Sequence, residues 1–343
     1  MTADPAATAP DVLHTELCRT LQIRYPICQA GMGFVAPGRL AAAVSAAGGL
    51  GVLGAGSMNA AQLRQEIAVV RDSTDAPFGV DILFAQIKAD RNAQVVQYTD
   101  EVKALIDVTL EAQVPVLIAG LGSPAGVVDD AHRQGMVVMA LAGNVRQAVR
   151  MERDGVDILI AQGHDAGGHT GRVGTMALVP QVVDAVSVPV LAAGGIADGR
   201  GLVAALALGA CGVWMGTRFI ATDEALAHDN YKNKIVAIDE EGTVVTRCHS
   251  GKPCRLIRNQ FTDSWEGRED EIMPFPMQTI KVGARAAKRA RYDGLIEEGG
   301  IPAGQSAGLV RDVRPAGDVV RDVMAEAEAV LRERFGVAFR AGV

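Results

Sequence analysis

Eight short apolar runs recur along this chain of 343 residues, separated by stretches of helical period. They lie at 26–32, 50–54, 78–84, 115–119, 136–141, 157–162, 188–193 and 211–220. Apolar residues at consecutive positions, rather than alternate ones, suit strands covered on both faces. Between the runs, apolar residues return with helical spacing: Leu40, Ala41, Val44 and Ala47; Leu63, Ile67 and Val70; Val102, Leu105 and Ile106. Alternation of this kind makes a parallel sheet with helices outside it. The repeat averages roughly 25 residues, what one strand and one helix occupy in a closed barrel. The expected fold class is α/β, a (β/α)8 TIM barrel. The alternative is an open doubly wound sheet, but no GxGxxG follows the first run.

Composition agrees. Hydrophobic residues make up 49% of the chain and aromatic residues 4%, a bias toward the branched aliphatics that fill barrel interiors. The net charge of −7 excludes a general nucleic-acid binder and leaves room for a phosphate held locally by backbone N–H groups. Five cysteines, an odd count without CxxC, fit a reducing compartment rather than a disulfide framework or a zinc ribbon. The opening MTADPAATAP lacks the basic start and apolar run of a signal peptide, and the uncharged run 201–217 is shorter than the ~20 apolar residues of a membrane span. A cytoplasmic protein with no membrane association is expected.

After residue 220 the pattern changes. Residues 243–249 and 254–259 form an expected hairpin around a turn at 250–251, and 260–300 are polar and mixed. Pro315 opens a helix to about Phe335, with Val319, Val320, Val323, Ala327, Val330 and Leu331 on one face. This is the candidate eighth barrel helix. The expected organisation is a mobile tail over 1–20, a barrel from 21–221 and 301–343, and an inserted cap over 222–300. The insertion falls between the eighth strand and its helix, on the face where such barrels keep their chemistry.

The chemistry concentrates at 158–171, ILIAQGHDAGGHTG. A buried strand breaks into a loop of four glycines that can take left-handed conformations and approach a ligand. His169 in that loop could exchange protons near neutrality or only brace the loop. His164, Asp165 and His169 do not have the HExxH spacing, and no third ligand lies near in sequence, so no metal is expected. Gly194–Gly195 and Gly216–Thr217 follow the seventh and eighth strands, where such barrels build phosphate sites, and the helix start after 197–199 would add free N–H groups. His14, His132, His228 and His249 are expected at the surface. Cys28 and Cys211 read as buried thiols, and Cys248 and Cys254 as thiols flanking the hairpin turn.

PICQAGM at 26–32, FGVDILF at 78–84, AQGHDAGGHTG at 161–171, VLAAGGIADGRG at 190–201, GVWMGTRFIAT at 212–222 and AGQSAGLVRD at 303–312 resemble the nitronate monooxygenase family, and the related flavin-dependent enoyl-ACP reductases. The resemblance runs from about residue 20 to the end. It implies an FMN-binding TIM barrel with a smaller inserted domain. The flavin and its phosphate would meet Gly31, Met32, Asp81, Gln162, Gly167, Gly168, Gly194, Gly195, Trp214, Met215, Gly216 and Thr217, and His169 matches the catalytic histidine. Asp81 stands where many members have Asn, and the first-strand loop reads GMGF in place of a proline-containing form. The implied activity is oxidation of alkyl nitronates with O2. The alternative is NAD(P)H-dependent reduction of an acyl thioester, and a phosphate-binding barrel without redox chemistry is a third reading. The resemblance leaves room for a homodimer.

Overall fold

The computed structural model describes residues 12–84 and 98–337. In chain order its strands are β1 (Ile27–Gln29), β2 (Gly51–Gly54), β3 (Phe78–Leu83), β4 (Val116–Leu121), β5 (Val137–Ala142), β6 (Ile158–Gln162), β7 (Gly168–His169), β8 (Val190–Ala193), β9 (Gly212–Met215), β10 (Thr243–Thr246) and β11 (Cys254–Ile257). Eight of them form one parallel sheet in the order β1-β9-β8-β6-β5-β4-β3-β2. Each expected apolar run holds one of these strands. The last run splits, because the strand stops at Met215 and Gly216 caps a short helix over Thr217–Ile220.

The sheet closes between β1 and β2 through a parallel bridge at Cys28 and Leu50. Gln29 N–H donates to Leu50 O, and Leu50 N–H to Ile27 O, both at 2.9 Å. With β1 only three residues long, the backbone alone cannot complete this seam. The Gln29 side chain does so. Its Oε1 accepts from Val52 N–H at 3.0 Å and its Nε2 donates to Val52 O at 3.1 Å. The amide thus stands in for a missing peptide unit of the ladder.

Two apolar layers follow. The barrel interior is filled by residues such as Val52, Val116, Ile118, Met139, Ile158 and Ile160, and a larger cluster lies between the strands and the outer helices. The expected mobile tail over 1–20 needs correction at its end. Glu16–Leu21 is a helix whose Leu17, Cys18 and Leu21 belong to the interior cluster. Gly212 leaves the space for Leu17, since a Cβ there would lie 2.7 Å from its side chain. Residues 1–11 of that tail and 338–343 of the barrel's last segment lie outside the described residues.

The Ala316–Phe335 helix packs against the Gly199–Ala207 and Gly38–Ala46 helices, the place of an eighth barrel helix. Gly199 permits this, because a Cβ there would overlap the backbone of Ala327. Pro315 sits at the N-cap rather than in the first turn. The expected hairpin forms as β10 against β11, and β11 also pairs with β7. The 222–300 segment is therefore hydrogen-bonded to the glycine loop, with Cys254 opposite His169. Cys248 and Cys254 are both buried and unpaired. No helix among the described residues is long and apolar enough to cross a membrane.

The seam makes a testable demand. Gln29→Leu keeps the bulk but strands the Val52 N–H and C=O, each an unmade buried hydrogen bond costing about 1–3 kcal/mol. Denaturant unfolding should show a loss of about 2–6 kcal/mol. A loss under about 0.5 kcal/mol, the range of a neutral surface change, would mean that the amide does not carry the closure.

Candidate active site

β6 delivers the chain to the barrel mouth at Gln162, and the glycine loop carries it to His169 on β7. Gln162 turns its amide onto the loop, donating to His169 O at 2.6 Å. His169 Nε2 lies 2.8 Å from Ser250 Oγ, in the hairpin turn between β10 and β11. Burial, then the charges of Lys252 and Arg291, hold the His169 pKa below its ordinary value, so the ring is neutral at pH 7. The Ser250 hydroxyl can turn toward Lys252 O at 3.4 Å. Oγ then accepts the Nε2–H, and Nδ1 keeps a free lone pair. Ser250 is far from His169 in sequence, and no spacing rule marks it. His249 corrects the expectation of a surface histidine. Burial pushes its pKa down to about 3, and its Nδ1 is enclosed without a partner.

His164 and Asp165 spend their side chains on the loop itself. His164 Nδ1 lies 2.8 Å from Gly171 O, and Asp165 Oδ2 accepts from Thr175 N–H at 2.6 Å. Among the described residues no group of three or more His, Cys, Asp or Glu is placed to hold a metal ion.

Gly168 has a φ of 75°, and nothing lies within 4 Å of where its Cβ would be, which leaves a backbone cradle open beside His169. Gly194 and Gly195, with φ of 100° and 76°, turn the chain against Ala166 and Asp165. The helix start after 197–199 does not offer the free N–H groups expected of it. Gly199 N–H donates to Glu326 Oε2 at 2.8 Å and Gly201 N–H to Asp198 Oδ1 at 3.0 Å. Two carboxylates already occupy that end and would repel a phosphate. At the Thr217–Ile220 turn the first N–H groups have no intrahelical acceptor, and Thr217 Oγ1 is held by Gly304 N–H at 2.8 Å.

A Cβ on Gly216 would lie 3.5 Å from Met32 Sδ and 3.6 Å from Ala30 Cβ, so the first-strand loop and the β9 loop meet there. Trp214 packs in the barrel interior, whereas the Met215 side chain lies in the outer cluster and its carbonyl accepts from Ala30 N–H at 2.9 Å. Asp81 is buried in β3, in contact with the places where Cβ atoms of Gly31 and Gly120 would be. Its Oδ1 has no partner among the described residues. Burial, opposed by the Gly120 N–H, holds its carboxyl well above the usual carboxylate range. An orphaned carboxyl, an open glycine cradle and two glycine turns at one barrel mouth fit a flat, phosphate-bearing cofactor such as FMN.

Asp81 also sets a pH dependence. A carboxyl whose folded pKa is raised above its unfolded value of about 3.9 binds its proton more tightly in the folded chain. Its contribution is full below that pH and is lost as pH rises through the folded value. Asp81→Asn cannot ionise. In flavin-free protein the melting temperature of the variant relative to wild type should therefore climb as pH rises above about 4, and stay flat below it. A difference independent of pH would show that Asp81 ionises normally.

Known proteins share this sequence pattern and this fold. The family model for nitronate monooxygenase matches residues 14–326. A probable nitronate monooxygenase of Staphylococcus saprophyticus is 36% identical over 353 aligned positions, covering 93% of this chain and 99% of the relative. One of Staphylococcus aureus is 36% identical, with 92% and 98% covered. Among solved structures, FabK from Thermotoga maritima superposes with a TM-score of 0.85 at 38% identity, over 94% of this chain and 98% of that one. Nitroalkane oxidase from Streptomyces ansochromogenes gives 0.82 at 31% identity, over 94% and 99%. With the barrel, the histidine loop and a match spanning residues 14–326, the chain belongs to the nitronate monooxygenase family of oxidoreductases.

Proposed function

We propose that this protein binds FMN at the barrel mouth and oxidises alkyl nitronates with O2, with residues 222–300 as the cap over the site. The observation that carries the reading is His169. It is neutral, its Nε2 lies 2.8 Å from Ser250 Oγ, and the open cradle of Gly168 lies beside it. Bound FMN would supply the redox chemistry, taking electrons from the substrate and returning them to O2. Gly168, Gly194, Gly195, Gly216 and Thr217 would hold it through backbone N–H groups, with Gly31, Met32, Asp81, Gln162, Gly167 and Trp214 around it. His169 Nδ1 would take the α-proton of a neutral nitroalkane. The pairing of β11 with β7 supports the cap, because it fixes the insertion to the strand that carries His169. Cys28, Cys211, Cys248 and Cys254 are free thiols, which fits a cytoplasmic protein.

The likeness to FabK favours a second reading on the same scaffold, NAD(P)H-dependent reduction of an acyl thioester, the activity of the enoyl-ACP reductases that the motifs also resemble. Flavin bleaching by NADPH without oxygen, and none by a nitronate, would select it.

The purified protein should be yellow and release FMN on denaturation. FAD, or no flavin, in the chromatogram would refute the cofactor. His169→Asn keeps polarity but cannot accept a proton near pH 7, and loss of a general base costs a factor of about 10²–10⁴. The loss in kcat/KM should fall on a neutral nitroalkane, which still holds its α-proton, and far less on the matching nitronate, with flavin content unchanged. Equal losses on both would leave His169 a binding group only.

A further inference from the structure

Three arginines are buried among the described residues: Arg218, Arg255 and Arg291. Two have their charge answered. Arg218 meets Asp312 at 3.3 Å. Arg255 donates twice to His164 O and lies in the field of Asp165. Arg291, 8% exposed at the end of the Ala284–Arg291 helix, meets no carboxylate among the described residues. Its Nε donates to Gly300 O at 3.1 Å. The acids that sense its charge are Tyr231, Cys254 and Tyr292. Burial pushes all three pKa values up, Cys254 to about 12, so all are neutral at pH 7. A guanidinium cannot shed its proton, and a buried ion without a partner is unfavourable. Among the described residues no negative group answers this charge.

The tip of Arg291 is open to receive it. Its Nη groups make no hydrogen bond among the described residues, and they are not among the sealed polar atoms, which belong to Asp81, Arg218, His249 and Thr279. The guanidinium lies 5.6 Å from the ring of Phe34, in the GMGF loop that follows β1. Together with Lys252 it acts on His169. In a chain of net charge −7, these two cations act on the candidate catalytic histidine.

We propose that Arg291 binds the negatively charged nitro group of the substrate, a planar two-oxygen anion matched by the forked N–H donors of the guanidinium. This rests on the nitronate reading above. The guanidinium geometry suits such an anion as it suits a carboxylate. Arg291 would then set preference for the nitronate over its neutral conjugate acid, while His169 serves the neutral form.

The test uses the FMN-loaded full chain carrying Arg291→Met or Arg291→Lys. A charge-assisted hydrogen bond lost from the bound anion should lower kcat/KM for a preformed nitronate about 10- to 100-fold. The matched neutral nitroalkane should lose far less, and Arg291→Lys should recover part of the loss. Nitrate, planar and anionic like the nitro group, should bind the wild type in calorimetry and fail to bind Arg291→Met. The melting temperature of Arg291→Met should equal or exceed that of the wild type, because an unanswered buried charge has gone. Should Arg291→Met not fold, Arg291→Gln serves in the same comparisons. Equal losses on nitronate and nitroalkane, or unchanged nitrate binding, would overturn the assignment. A wild type that oxidises no nitronate would sink the functional reading by itself. The nitrate titration would then still decide whether Arg291 is an anion site.

Discussion

The fold depends on closing a parallel sheet whose first strand is three residues long. A parallel sheet left open between β1 and β2 would expose a ladder edge inside a layer of helices, where water cannot satisfy it. The chain solves this with one side chain. Gln29 reproduces with its amide both hydrogen bonds that a further peptide unit would have made to Val52. The short strand has a consequence for chemistry, because the chain leaves the sheet early and crosses the mouth as Ala30–Phe34. Met32 and Ala30 then reach Gly216, and Gly31 comes against Asp81. Closure and site construction are the same event at this seam.

The mouth is held from two sides. Strands deliver Asp81 and Gln162 on rigid backbone, and the insertion returns to pair β11 with β7. That pairing places Ser250 on His169. The histidine's orientation therefore depends on a hairpin far along the chain. An insertion tied in this way cannot swing free without breaking the β7 ladder.

The barrel was legible in the sequence because its signal is local. Eight apolar runs with helical period between them need no knowledge of contacts, and each run holds a strand. The glycine loops and His169 were legible for the same reason, as motifs on continuous stretches. What was not legible depends on distant partners. The Glu16–Leu21 helix is too short to show a period, and only the barrel interior makes Leu17 and Cys18 buried. Ser250 and His249 sit in a polar turn that reads as solvent-facing until β11 docks on β7. Arg291 lies in a stretch whose basic residues look like a wet helix face. The helix at Gly199 looked like an anion site because Glu326, which occupies it, comes from the last helix of the chain.

The charges at the mouth bear on which form of substrate the site serves. Burial lowers the pKa of His169, and the charges of Lys252 and Arg291 lower it further. A lower pKa keeps the ring neutral and able to accept a proton, but it also makes it a weaker base. A site evolved chiefly to strip the α-proton from a neutral nitroalkane would do better with a carboxylate beside the histidine, as in a triad, to stabilise the imidazolium. Ser250, a neutral hydroxyl, occupies that position instead. Two cations and a neutral brace give little help to proton abstraction. They favour a substrate that arrives already deprotonated, with its negative charge spread over two oxygens. The same field that weakens His169 as a base attracts the nitronate, so the electrostatics of the mouth favour the anion over its conjugate acid.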